Sequence, residues 1–341
     1  MKFKRIGIDI AKNVFQLHGV DENDEVIVKK KLSRQQFLRF LKTKVNPEAL
    51  IAMESCSGSH HWGRELTQYG FDVHLIPAQY VKPYLKRNKN DANDAEAICE
   101  AASRPGMPKV PIKTIEQQDI QAMHRARSEL VKQRTATANQ IRGLVTEYGL
   151  VASQSLTALK KTIPQWLEDA ENGLSELFRR LLNNLYEHLN VIDQQIKHIE
   201  NEIKQLSANI DMAVKLQTLP GIGVLTATAL IAAIGDGKQF KNGRCLSAWL
   251  GLTPKQHSSG GKDVLFGISK AGDSYVRTLF IHGARAVVNT ADKRKNKMSD
   301  WINKLKQSHH NNVVAVAVAN KNARIAWAML TNQTEFDGNQ V

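Results

Sequence analysis

Four carboxylates in the first hundred residues have the types and spacing for metal-assisted chemistry: Asp9, Glu54, Asp91 and Asp94. Asp9 sits inside the strand Lys4–Ile10, in which Ile6, Ile8 and Ile10 share one face and the acid takes the other. A carboxylate inside such a strand costs desolvation unless something pairs with it. Glu54 ends a short apolar run, Ala49–Met53. Asp91 and Asp94 stand three apart, so one helix face can present both. Taken singly, each acid reads as a surface charge or a helix cap, Asp91 most of all. Taken together they need a compensating cation, and all-oxygen ligands favour Mg²⁺ or Mn²⁺. Two such ions about 3.5–4 Å apart suit attack on a phosphodiester.

The elements that must position these acids follow from periodicity. Strands are expected at Lys4–Ile10, Val14–Val20, Glu25–Leu32, Ala49–Met53 and Asp72–Ile76. Helices are expected at Arg34–Thr43, capped by Ser33, from Glu54 through Tyr69, and at Asp91–Ser103. Arg104-Pro105-Gly106-Met107-Pro108 marks a boundary. Three strands, helix, strand, helix, strand, helix is the order of an RNase H-like fold, which would bring the four acids to one sheet edge. Gly7-Ile8-Asp9-Ile10-Ala11 also invites comparison with the phosphate loop of actin-like sugar kinases. Ala11 and Asn13 stand where that loop needs a glycine and a hydroxyl.

The second half reads differently. Residues 115–150 form a basic helical stretch carrying Arg125, Arg127, Lys132, Arg134 and Arg142. From Phe178 to Ile210 apolar residues step by fours and threes, a heptad seam on one long helix. Its partner is either the basic helix of the same chain or a second subunit. Leu219-Pro220-Gly221-Ile222-Gly223 resembles a helix-hairpin-helix, in which Gly221 and Gly223 let the backbone approach a phosphate; a plain packing corner is the alternative. Ser258 and Ser259 lie in a Gly-rich basic loop with Lys262, where a hydroxyl could attack phosphorus. Lys270 and Arg277 continue the basic character. Asn312–Leu330 is a closing helix, followed by a polar tail. The expected divisions are 1–108, 109–215, 216–331 and a tail, 332–341.

Composition narrows the class. The 341 residues carry a formal charge of +14, which points to a polyanion, nucleic acid before membrane. Three scattered cysteines, Cys56, Cys99 and Cys245, make no disulfide framework and fit a reducing, cytoplasmic setting. Cys56 with His60 and His61 lacks a second pair at zinc spacing. No apolar run approaches the ~20 residues of a membrane span.

The motifs Gly7-Ile8-Asp9-Ile10-Ala11-Lys12, Met53-Glu54-Ser55-Cys56-Ser57-Gly58, Lys89-Asn90-Asp91-Ala92-Asn93-Asp94-Ala95, Pro220-Gly221-Ile222-Gly223, Gly251-Leu252-Thr253-Pro254 and Ser259-Gly260 follow one another in that order. Together they resemble the DEDD insertion-sequence transposases, relatives of the Piv DNA invertase. Gln256-His257-Ser258-Ser259-Gly260-Gly261-Lys262 is most similar to the IS one-one-one-one branch of the IS one-ten family. The resemblance implies a RuvC-like N-terminal domain, a coiled-coil linker and a mainly helical C-terminal transposase domain. It implies Asp9, Glu54, Asp91 and Asp94 as catalytic metal ligands for Mg²⁺ or Mn²⁺, and Ser259 as the nucleophile. It further implies double-stranded DNA and a non-coding guide RNA as partners, a phosphoserine intermediate, a Holliday junction, and a homodimer that assembles to a tetramer on the bacterial nucleoid. Arg125, Arg127, Arg134, Gly221, Gly223, Lys262, Lys270 and Arg277 are the candidate nucleic-acid contacts. A RuvC-like junction nuclease, a guide-independent invertase and an architectural nucleic-acid binder are the competing readings.

Overall fold

Ile6 and Ile8 turn one face of strand β1 (Arg5–Ile10) into a fully buried core, while Arg5, Gly7 and Asp9 take the other face. The structure, a computed structural model, describes residues 2–86, 90–259 and 262–337, without the side chains of Ser259, Lys262 and Asp263. β1, β2 (Val14–Val20) and β3 (Val26–Ser33) form an antiparallel meander. β4 (Leu50–Glu54) and β5 (Asp72–Ile76) join β1 in parallel, giving the order β3-β2-β1-β4-β5. This mixed sheet is compatible with an RNase H-like transposase domain.

Both faces of the sheet are covered. Helices α1 (Arg34–Lys44) and α2 (Ser59–Gln68) cover the isoleucine face with Phe37, Leu41, Trp62 and Leu66. Phe15 stacks on Phe37 at 4.4 Å, and Trp62 meets both rings edge-on. Ser33 caps α1 through a reciprocal capping box with Gln36. The short α3 (Ala78–Val81) and the longer α4 (Asp91–Ala102) cover the opposite face, where Val81, Ala97, Ile98 and Ala101 pack with Ala52 and Ile76. These elements make a compact unit over residues 1–115, and residues 116–341 make a second.

The second unit contains α5 (Ile115–Thr146), α6 (Leu156–Glu168) and α7 (Glu176–Ala208). Most of the heptad seam of α7 is buried within this chain. Phe178, Leu182 and Leu189 pack on Ala138, Ile141 and Val145 of α5 and on Leu159 and Ile163 of α6. Arg127 pairs with Glu200 at 2.6 Å and Arg134 with Asp193 at 3.1 Å, so α5 and α7 run antiparallel. Of the two partners the seam allowed, the basic helix of the same chain is the one observed.

Asp193 is only 14% exposed and also accepts from Lys160 at 2.6 Å. Burial pushes its carboxyl up, but the hydrogen bonds from Lys160 and Arg134 outweigh burial and hold it below the ordinary value. Asp193→Ala leaves two cations facing each other. The expected cost is about 2 kcal/mol, between an exposed and a fully buried pair. Urea midpoints at neutral pH measure it. A lowered carboxyl pKa stabilises above its unfolded value, and that stability is lost as pH falls through the folded pKa, so the difference should fade in acid.

After α8 (Asp211–Leu216) and α9 (Val224–Ile234) comes α10 (Gly243–Trp249). A hairpin follows, β6 (Pro254–Ser259) with β7 (Lys262–Ile268), then α11 (Ser274–Thr290), α12 (Lys297–Lys306) and α13 (Asn311–Asn332). The stretch expected as a flexible loop around Ser258 is therefore a pair of strands. Its alternation is hidden because Val264, Leu265 and Phe266 are all exposed, leaving no buried face to read. The core of this unit lies among α9, α11 and α13, with Phe280, Val318 and Ala319 at its centre.

Candidate functional site

Gly7 is the residue on which the site is built. A Cβ there would come within 2.3 Å of the Ala95 carbonyl oxygen and 2.4 Å of the Cys99 amide nitrogen, so only glycine lets α4 lie this close to β1. One strand position on either side of Gly7 on the same face completes the contact. Arg5, nearly buried, donates its Nε to the Cys99 carbonyl at 3.0 Å. Asp9 meets the other end of the helix.

There the first turn of α4 presents Asp91 and Asp94, behind an N-cap at Asn90 whose side chain accepts from the Ala92 amide at 3.0 Å. The cap is thus Asn90, which leaves Asp91 for other work. Both acids lie at the positive end of the α4 dipole. One ligand oxygen from each of Asp9, Asp91 and Asp94 can be chosen so that all three lie within 4.8 Å of one another. Glu54 ends β4 beside Asp9, one position after the Ile8–Met53 register pair. It stands outside that group of three, though its charge acts on Asp9.

Burial, then the charges of Asp94, Asp91 and Glu54, push the Asp9 carboxyl up to about 6. Arg5, Lys86 and Arg104 pair with other acids, in Arg5–Asp24, Lys86–Glu96 and Arg104–Glu100. Among the described residues no ion pair reaches Asp9, Asp91 or Asp94. A hard, all-carboxylate donor set with uncompensated charge fits a divalent cation such as Mg²⁺ or Mn²⁺. Cys56 is close by, but burial, Glu54 and Asp9 push its thiol up, which disfavours the thiolate a soft metal would want. His60 is turned away, its Nδ1 accepting from the Lys113 amide at 3.2 Å.

The remaining candidates lie in the second unit. Ser259 closes β6 opposite Lys262 in the backbone register, and both side chains lie outside the described residues. Gly221 has φ +92° and no room for a side chain, with Val287, Asn322 and Gly283 all at 3.0–3.1 Å from a Cβ. The Asn322 amide donates to the Pro220 carbonyl at 2.8 Å. Gly221 therefore serves a tight packing corner, whereas Gly223 opens α9 with empty space beside it. Arg127 and Arg134 are engaged by α7 acids, as described above. Arg277 donates to the carbonyls of Leu250 and Ala271, holding a loop. Arg125 and Lys270 are exposed. Sequence reading missed the roles of Gly7 and Arg5; their period-two spacing with Asp9 was the available signal.

Two family models match the chain. One, described as a DEDD-type transposase of the IS110 group, covers residues 6–150 and so all four acids. The other, described as the transposase IS116/IS110/IS902 family, covers residues 213–299 and so Ser259. A probable family 20 transposase of Pseudomonas aeruginosa is 46% identical over 335 residues, 98% of each chain. The transposase for insertion sequence element IS1111A of Coxiella burnetii is 45% identical over 98% of this chain and 91% of its own. The pilin gene-inverting protein of Moraxella bovis is 24% identical over 75% of this chain and 73% of its own. No described helix is long and apolar enough to cross a membrane. With its acidic sheet edge and its Ser259 hairpin each inside a matched segment, the chain belongs to the IS116/IS110/IS902 family of DEDD transposases, enzymes that act on DNA in recombination.

Proposed function

We propose that this transposase cuts and rejoins DNA through a covalent phosphoserine at Ser259, with Asp9, Glu54, Asp91 and Asp94 holding Mg²⁺ or Mn²⁺ and a non-coding RNA selecting the sites. The observation that carries the reading is the convergence of Asp9, Asp91 and Asp94 within 4.8 Å without a described cation. A bound divalent ion would supply charge neutralisation at a phosphate. Asp9, with its carboxyl near 6, is ionised and ready to hold such an ion at neutral pH. The Ser259 hydroxyl loses its proton, its oxygen bonds to phosphorus, and a sugar hydroxyl leaves. One phosphate ester is exchanged for another, so a second sugar hydroxyl can reverse the step without ATP. Exchange of two strands in this way passes through a Holliday junction. The guide RNA, and a dimer or tetramer that brings acids and serine together, rest on the family resemblance.

The test is covalent capture. Purified protein, a labelled DNA carrying the element's end, Mg²⁺ and RNA transcribed from the flanking DNA should give a denaturation-resistant protein–DNA adduct. Ser259→Ala should abolish the adduct and joining, by at least about 10³-fold. A junction nuclease using water would cleave as well without the serine. The relationship to pilin gene-inverting proteins favours a second reading, recombination without a guide. Adduct yield that is independent of RNA would select it.

A further inference from the structure

The second unit holds a cavity of about 1680 Å³ that the acidic site does not use. Its walls are α10, β7, α12 and α13. Its volume exceeds the ~300–1,000 Å³ of a small-molecule pocket. Gly243, at the start of α10, lies so near α13 that a Cβ would come within 2.8 Å of the Arg324 carbonyl. That contact brings Arg244 and Arg324 to one wall, with Lys321 one turn before Arg324. None of these three cations is in an ion pair with a described residue. Burial, then the neighbouring Arg324, push the Lys321 ammonium down.

Flat apolar surfaces line the same space. Trp301 lies beneath Lys321, whose Nζ is 4.5 Å from the ring centroid. Phe266 on β7 is 57% exposed. Val316, Ala317 and Ala328 of α13 give a smooth floor. Glu335 and Asp337, on the segment after α13, also line the cavity. Cations for phosphates beside an exposed ring for a base are the recognition chemistry of an unpaired strand; a duplex hides its base faces.

We propose that this groove binds unpaired DNA. The choice of DNA over RNA rests on the recombinase reading, because β7 is hydrogen-bonded to the strand that carries Ser259. A strand freed during exchange would lie along Arg244, Arg324 and Lys321 while a base stacks on Phe266.

The test uses the full-length protein, EDTA in place of metal, and a fluorescein-labelled twelve-residue oligo-dT read by anisotropy. Arg244→Ser with Arg324→Ser, both exposed positions, should weaken binding roughly 20-fold near 0.1 M salt and flatten the log–log salt slope by about 1.4. Phe266→Ser should cost about 5- to 10-fold with little change in salt slope. Wild-type protein that ignores the oligo-dT, or a double variant within twofold of it at unchanged circular dichroism, overturns the proposal. A duplex of equal length bound as tightly removes the unpaired strand, and oligo-U RNA bound as tightly with the same variant dependence removes DNA. Binding is read without divalent ions and covalent capture requires them, so either can fail while the other stands.

Discussion

Asp9→Asn is expected to lower metal-dependent DNA cleavage by at least about 10³-fold, the equivalent of losing several kcal/mol of charge stabilisation. Gel analysis of strand cleavage at saturating Mn²⁺ reads it. The same substitution should act on stability in the opposite direction. A carboxyl whose folded pKa is raised to about 6 stabilises the fold fully below its unfolded pKa near 4, and that stability is lost as pH rises through 6. Metal-free wild type thus carries at pH 8 a buried Asp9 charge, further opposed by Asp94, Asp91 and Glu54, that it lacks at pH 4. Removing the charge should raise the midpoint of the metal-free protein at pH 8 by on the order of 1 kcal/mol, solvent screening having reduced the effect, and change nothing at pH 4. Added Mn²⁺ should stabilise wild type at pH 8 by mass action but not Asp9→Asn. Metal stabilisation of wild type should weaken below about pH 6, where Asp9 takes up its proton. A variant that cleaves at the wild-type rate would remove Asp9 from the centre.

Gly7→Ala should be the most damaging single methyl in the first unit. The added carbon would meet Ala95 O at 2.3 Å, Cys99 N at 2.4 Å and Cys99 Cβ at 2.7 Å, two of them backbone atoms that cannot rotate away. Overpacking of this kind costs about 1–3 kcal/mol, and backbone contacts put Gly7 at the upper end. Thermal unfolding should fall by roughly 10 °C, since each kcal/mol moves a unit of this size by about 3–6 °C, between the values for smaller and larger domains. If the fold survives, α4 must move off β1. Asp91 and Asp94 then separate from Asp9, and Mn²⁺ should no longer raise the midpoint even though every acid remains. A Gly7→Ala protein with a wild-type midpoint and metal response would show that the approach of α4 does not set the site.

These two positions show what the residues declare and what they withhold. Asp9 was visible because it is a carboxylate inside a strand, on the face opposite three isoleucines, and Asp91 with Asp94 because three residues make nearly one helical turn. The buried faces of β1 and α1 were legible because local periodicity reports which side of an element is apolar, and the Ser33 cap because a hydroxyl stands just before that period begins. The hairpin at Pro254–Ile268 was not legible, because both its faces are exposed and alternation carries no signal without burial on one side. The partner of the α7 seam was likewise open, since a heptad states that a face will be covered and not by what. Arg127 and Arg134 read as phosphate contacts until Glu200 and Asp193 were found across from them.

The amino-acid order alone thus determined the kinds of element, their sequence along the chain and the presence of four acids at plausible ends. Only the folded chain decided that Asn90 caps α4, that Asp9, Asp91 and Asp94 share one spot with Glu54 beside it, and that Gly7 is what admits the helix. The physical reason is range. Backbone preference and hydrophobic period act over a few residues, whereas the distance between carboxylates some eighty positions apart is fixed by packing between surfaces that neither segment describes by itself.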